Sequence, residues 1–187
     1  MLSLRYLSLL TAFGMGLLVS GQQAFATVWN VNAGRSRIGF EVLQSGSMLK
    51  GTFGTWNAAI DFNPDDLANS TIQATIITGS VKTSDKQIAS TLEGTDWFNI
   101  GQFPEAVFKT TRITRVSDGT YRAEGTLSMK GISLPVSFPF TLDLEGTKAY
   151  AKAEVVLLRK NFQLGKDVPN GAVADNVTVD IEIFATR

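Results

Sequence analysis

The sequence predicts an all-β chain of antiparallel strands, either stacked as a sandwich or closed as an up-and-down barrel of about eight strands. Three observations predict it. Apolar and polar residues alternate with period two through most of residues 27–187, turn-forming residues separate the alternating runs, and only one stretch lacks the pattern. Alternation gives each strand a single apolar face, and that face must be covered by a second layer or by closure into a barrel.

The first element is different in kind. Arg5 precedes an uncharged apolar run from Tyr6 to Val19, and Ala24-Phe25-Ala26 places small residues around a cleavage point before Thr27. This is the pattern of a secretory signal peptide spanning residues 1–26. The run is shorter than the roughly 20 residues that cross a bilayer. The expectation is therefore a domain of residues 27–187 released outside the cytoplasm, most simply into a bacterial periplasm. With no Cys in the chain, a lipid-anchored form is excluded as well.

Strands follow in order. Ile38, Phe40 and Val42 share a face opposite Arg37, Gly39 and Glu41, and Ala58, Ile60 and Phe62 continue the pattern after Trp56. Ile72, Ala74 and Ile76 alternate with Thr71, Gln73 and Thr75. Tyr121, Ala123, Leu127 and Met129 oppose Arg122, Glu124, Thr126, Ser128 and Lys130. Val136, Phe138, Phe140 and Leu142 come next, with Pro139 marking that strand as an edge or a bulged one. Two strands complete the set, one carrying Ala149, Ala151, Ala153, Val155 and Leu157, the other Val177, Val179, Ile181 and Ile183. Turns fall at Asn63-Pro64-Asp65, Ser117-Asp118-Gly119, Lys130-Gly131 and Glu145-Gly146. Residues 83–104 hold Ile88, Leu92, Trp97, Phe98 and Phe103 without alternation. They read as a long loop or short helices capping one end. Three alanines in one strand leave room inside a barrel, unless bulky aromatics opposite them fill it.

Composition removes most chemistry. With no His and no Cys, the chain has no Ser-His-Asp triad, no thiol nucleophile, no disulfide and no zinc site of the usual ligands. Lys and Arg balance Asp and Glu at 17 each, so no basic face invites nucleic acid. Asp61, Asn63 and Asp65 imitate the start of a calcium loop. Asp66 stands where the required Gly would be and Ile72 where the bidentate Glu would be, so that reading fails. The carboxylates Asp65, Asp66, Asp143 and Glu145 sit at turns and read as surface groups. No cofactor and no catalytic residue is expected.

Several short motifs, in order, carry a resemblance. Ser36-Arg37-Ile38-Gly39-Phe40-Glu41-Val42 is followed by Gly51-Thr52-Phe53, Ile60-Asp61-Phe62, Ser80-Val81-Lys82-Thr83 and Asp96-Trp97-Phe98 with Phe103-Pro104. Gly125-Thr126-Leu127-Ser128-Met129-Lys130-Gly131-Ile132-Ser133 is similar to a G-x-L-x-x-K-G-x-T hairpin, and Arg159-Lys160-Asn161-Phe162-Gln163-Leu164-Gly165 to an Arg-x-Asp-Phe-Gly turn. From Trp29 to Arg187 the chain resembles the YceI-like family of polyisoprenoid-binding, lipocalin-like proteins. The resemblance implies an extended antiparallel barrel around a long apolar tunnel for an isoprenoid tail, and export. It also implies a membrane protein as a partner and a homodimer in some members. The chain departs from the family at Gln44, Ala89 and Thr91, where relatives often carry His, Asp and His, and at Asn161, where they carry Asp. Trp97 stands where many relatives have Phe.

The expected function is that of an exported binding protein, not an enzyme. It would hold a polyisoprenoid or similar long-chain amphiphile, such as a prenyl quinone precursor or prenyl lipid, for transport or storage. Candidate tunnel residues are Phe40, Val42, Ile72, Ile76, Leu127, Met129, Phe138, Ala151, Ala153, Val155 and Leu157, with Trp97, Phe98 and Phe103 as the lid. Two alternatives stay open: a module docking on a membrane redox protein, and an enzyme acting on a bound lipid through Tyr121, Arg159 or a carboxylate. Arg159 beside a turn otherwise reads as a solvated or salt-bridged surface group.

Overall fold

The computed structural model describes residues 28–187, so the expected signal peptide lies outside the described residues. The chain runs through β1 (Val28–Val31), β2 (Arg37–Gln44), β3 (Ser47–Phe53), β4 (Trp56–Asp61), β5 (Thr71–Ile77) and β6 (Val81–Thr83) to one helix, α1 (Lys86–Glu93). It continues as β7 (Glu105–Ser117), β8 (Thr120–Met129), β9 (Ile132–Glu145), β10 (Lys148–Leu158) and β11 (Val173–Thr186). All pairings are antiparallel. The sheet order is β1-β4-β5-β7-β8-β9-β10-β11-β2-β3-β6, and β1 also pairs with β11, which closes it.

Three pairs of segments are single strands bent once. β1 and β2 are joined by a helical turn at Ala33–Arg35, where the Asn32 side chain accepts the Arg35 N–H. β3 and β4 bend at Gly54, and β5 and β6 at Thr78–Ser80. Each half keeps its partner: β2 pairs with β3 and β1 with β4, then β4 with β5 and β3 with β6. The result is a closed antiparallel barrel of eight strands. A barrel of that size leaves a bore one small ligand wide, or fills it with side chains.

Aromatic side chains plug one end. Phe62 meets Tyr121 edge-on at 5.1 Å, Tyr121 stacks on Phe140 at 5.5 Å, and the Trp29 indole donates to the Phe62 carbonyl at 2.9 Å. At the other end β6 and β7 do not pair, and residues 84–104 fill the space between them. The stretch read as loop or short turns is a two-turn helix followed by tight turns. Asp85 caps α1 by accepting the Gln87 N–H, and Ile88 and Leu92 pack inward.

β7 escaped the alternation reading for a physical reason. Ala106, Phe108 and Thr110 share its inner face, but the register shifts between Thr110 and Arg112, so the next core residue is Ile113. A bulge resets a period of two. The edge character expected at Pro139 is present on one side of β9. β8 pairs with the strand throughout, whereas β10 pairs only from Phe140 to Glu145 and leaves Pro135 and Pro139 unmatched. Among the described residues no helix is long and apolar enough to cross a membrane.

Candidate functional site

The bore is hollow, in two adjoining chambers. The first, about 220 Å³, runs from the aromatic plug to mid-barrel and shows no polar atom at its surface. Inward residues of nearly every strand build it, and their small side chains make the space: Ala58, Ala74, Ala106, Ala123, Ala149, Ala151 and Ala153 all line it. Bulkier residues at these points would fill the lumen as they do in solid small barrels. The second chamber, about 200 Å³, lies under α1. Phe53, Phe98, Met129, Leu157 and Val179 line both chambers and form a waist between them, where Phe53 and Phe98 meet edge-on at 5.9 Å.

Ile72, Ile76, Leu127, Phe138, Ala151, Ala153 and Val155 face the first chamber, Phe40 and Val42 the second, and Met129 and Leu157 both. The structure thus places all eleven candidate tunnel residues on the walls of the two chambers. Two of the three lid aromatics also reach them, Trp97 in the second chamber and Phe98 at the waist. Phe103 lines neither; its ring covers Gly131, whose φ of +76° suits glycine. Alternation had no means of finding the waist residue Phe53, which ends its strand just before the Gly54 bend.

The segment over the second chamber is fastened at several points. The Gly165 N–H donates to the Asp96 carbonyl at 2.7 Å, and the Lys130 ammonium donates to the carbonyls of Asp96 and Gln163, each at 2.9 Å. Partial burial holds the Lys130 pKa below its ordinary value. Trp97 packs over Gly165, where a Cβ would approach its ring to 2.7 Å.

Arg159 departs from its surface reading. It is 2% exposed, and its guanidinium donates to five backbone carbonyls: Ala174, Leu164, Gly165, Val168 and Val173. Trp97 stacks on it at 5.6 Å. Burial pushes its pKa below the ordinary value, with Asp175 opposing. All five N–H groups of the side chain are used, so Arg159 organises the turn of residues 159–174 and has no donor left for a ligand. Gln44 and Thr91 add polar groups to the second chamber, whereas Ala89 and Asn161 do not line it.

A closed antiparallel barrel of this kind is also the fold of solved YceI-like proteins. The chain belongs to that family: the YceI-like domain matches residues 29–185. A UPF0312 protein of Yersinia enterocolitica is 28% identical over 147 residues, covering 75% of each chain. The crystal structure of BcnA from Burkholderia cenocepacia superposes with a TM-score of 0.80 at 27% identity, over 84% of this chain and 100% of that one. A polyisoprenoid binding domain from Saccharophagus degradans, implicated in plant cell wall breakdown, superposes with a TM-score of 0.68 at 13% identity, over 84% and 97% of the two chains.

Proposed function

We propose that this chain is an exported carrier that holds the tail of a polyisoprenoid, or of a similar long-chain amphiphile, inside the barrel for transport or storage. The carrying observation is the pair of adjoining apolar chambers, about 220 and 200 Å³, separated only by side chains. An apolar chamber is costly to keep empty and gains stability when an apolar guest fills it. Each buried methylene contributes about 0.8 kcal/mol, so some fifteen carbons give roughly 12 kcal/mol of gross driving force. Loss of motional freedom on association offsets a large part of this. The signal-peptide pattern of residues 1–26 supports export to the periplasm, and the polyisoprenoid binding domain of matching fold supports the ligand class.

Binding is favoured over catalysis by what the walls hold. Among the described residues no carboxylate lines either chamber, and the Arg159 guanidinium at the second is bonded to carbonyls throughout. The test is native mass spectrometry of the protein recovered from its own cells, followed by extraction of bound lipid. A stoichiometric prenyl chain establishes the carrier and names its head group. A protein that is empty, and that takes up no added prenyl alcohol, overturns the reading.

A further inference from the structure

Two neighbouring strands of the barrel lose their ladder over much of their length, and side chains on both sides of that stretch line the first chamber. β9 and β10 are paired from Glu145↔Lys148 to Phe140↔Ala153 and not beyond. Both strands continue past that point, each held by its other neighbour. β9 stays paired with β8 as far as Ile132↔Met129, and β10 with β11 as far as Leu158↔Asn176. Residues 132–139 and 154–158 therefore lack a ladder between them. Pro135 and Pro139 lie in this stretch, and neither has an N–H to contribute.

The slit is bounded at both ends. The ladder resumes at Phe140 and Ala153, and at the far end Lys130 donates to the Gln163 carbonyl at 2.9 Å, tying the β8–β9 turn to the chain just after β10. Residues 154–158 span roughly 16 Å at about 3.3 Å per residue. Its inner lips, Val136 and Phe138 on one strand and Val155 and Leu157 on the other, line the first chamber. On the outer side Val156 is 58% and Leu158 42% exposed, across from exposed Pro135 and Pro139.

The two ends of the barrel are obstructed. The aromatic plug closes one end, and the other lies behind the second chamber and the waist. Parting paired strands breaks the ladder bonds that join them. Between residues 132–139 of β9 and 154–158 of β10 there are none to break. Resting on the carrier reading, we propose that the β9–β10 slit is the portal through which an isoprenoid tail passes sideways into and out of the barrel. A single flexible chain needs only a gap one chain wide, and it lies down along the bore without threading the waist.

The absence of native cysteine makes the test clean. Ser137→Cys with Val156→Cys puts one thiol on each lip. Glu154→Cys with Asp180→Cys puts the same pair across the intact β10–β11 ladder. Each variant is loaded with tritiated geranylgeraniol and bridged with a short bis-maleimide, with closure verified by mass. Release to phosphatidylcholine vesicles is then timed. Bridging the slit is expected to slow release by at least about tenfold, a barrier increase of roughly 1.4 kcal/mol, while the ladder bridge leaves the rate unchanged. Equal release from both bridged proteins overturns the portal. Failure of the unbridged protein to take up the alcohol overturns the carrier reading instead, and the portal with it.

Discussion

Arg159 and Ala151 show how single residues set the character of the bore. The Arg159 guanidinium satisfies carbonyls of a turn that has few ladder partners of its own, from Leu164 to Ala174. Lysine has three donors and no planar fork. Arg159→Lys therefore leaves buried carbonyls without partners and should cost roughly 2–4 kcal/mol, read as a lowered midpoint in urea unfolding. Ala151 acts in the opposite sense, by what it leaves out. Ala151→Phe puts a ring into the first chamber, which it lines. The expected outcome is loss of prenyl-alcohol uptake with stability changed by less than about 1.5 kcal/mol. Retained uptake would show that the tail does not occupy that chamber. The surface reading of Arg159 failed because its acceptors are backbone carbonyls, and a sequence displays no carbonyl's direction.

At the scale of elements, alternation was legible wherever a strand ran unbroken and invisible where it was reset. The inward sets Ile38-Phe40-Val42, Ile72-Ala74-Ile76 and Ala149-Ala151-Ala153 follow directly from period two, and all reach the bore. β7 was obscured by its bulge, β1 by its length and by the turn that separates it from β2. The cap was recognisable by its lack of pattern, but its fastening was not, because that depends on residues far apart in the chain. Lys130 reaches the Asp96 and Gln163 carbonyls from a turn whose own φ values are positive. Lys130→Met keeps most of the apolar stem of the side chain and removes both bonds, so amide protection across residues 94–104 should fall, at a cost of about 1–3 kcal/mol. Hydrogen exchange followed by mass spectrometry reads this directly. Unaltered protection would mean that the Gly165–Asp96 bond and the seat of Trp97 on Gly165 hold the cap by themselves.

For the whole molecule, a hollow interior links stability to cargo. The chain has no disulfide to offset the hollow, because it has no cysteine, and surface ion pairs such as Arg112–Glu124 and Lys50–Glu41 contribute little. A guest that fills the chambers and binds only the folded state adds stability by mass action, about 2.7 kcal/mol at a hundredfold excess over Kd. For a domain of this size that corresponds to a rise in Tm of roughly 5–10 °C. Delipidated protein titrated with geranylgeraniol should show that rise, and Ala151→Phe should show none, its chamber already occupied by its own side chain. The shift should also be nearly independent of salt, because an apolar wall holds the tail without charge–charge contacts for ions to screen. A shift equal in Ala151→Phe would place the ligand outside the first chamber.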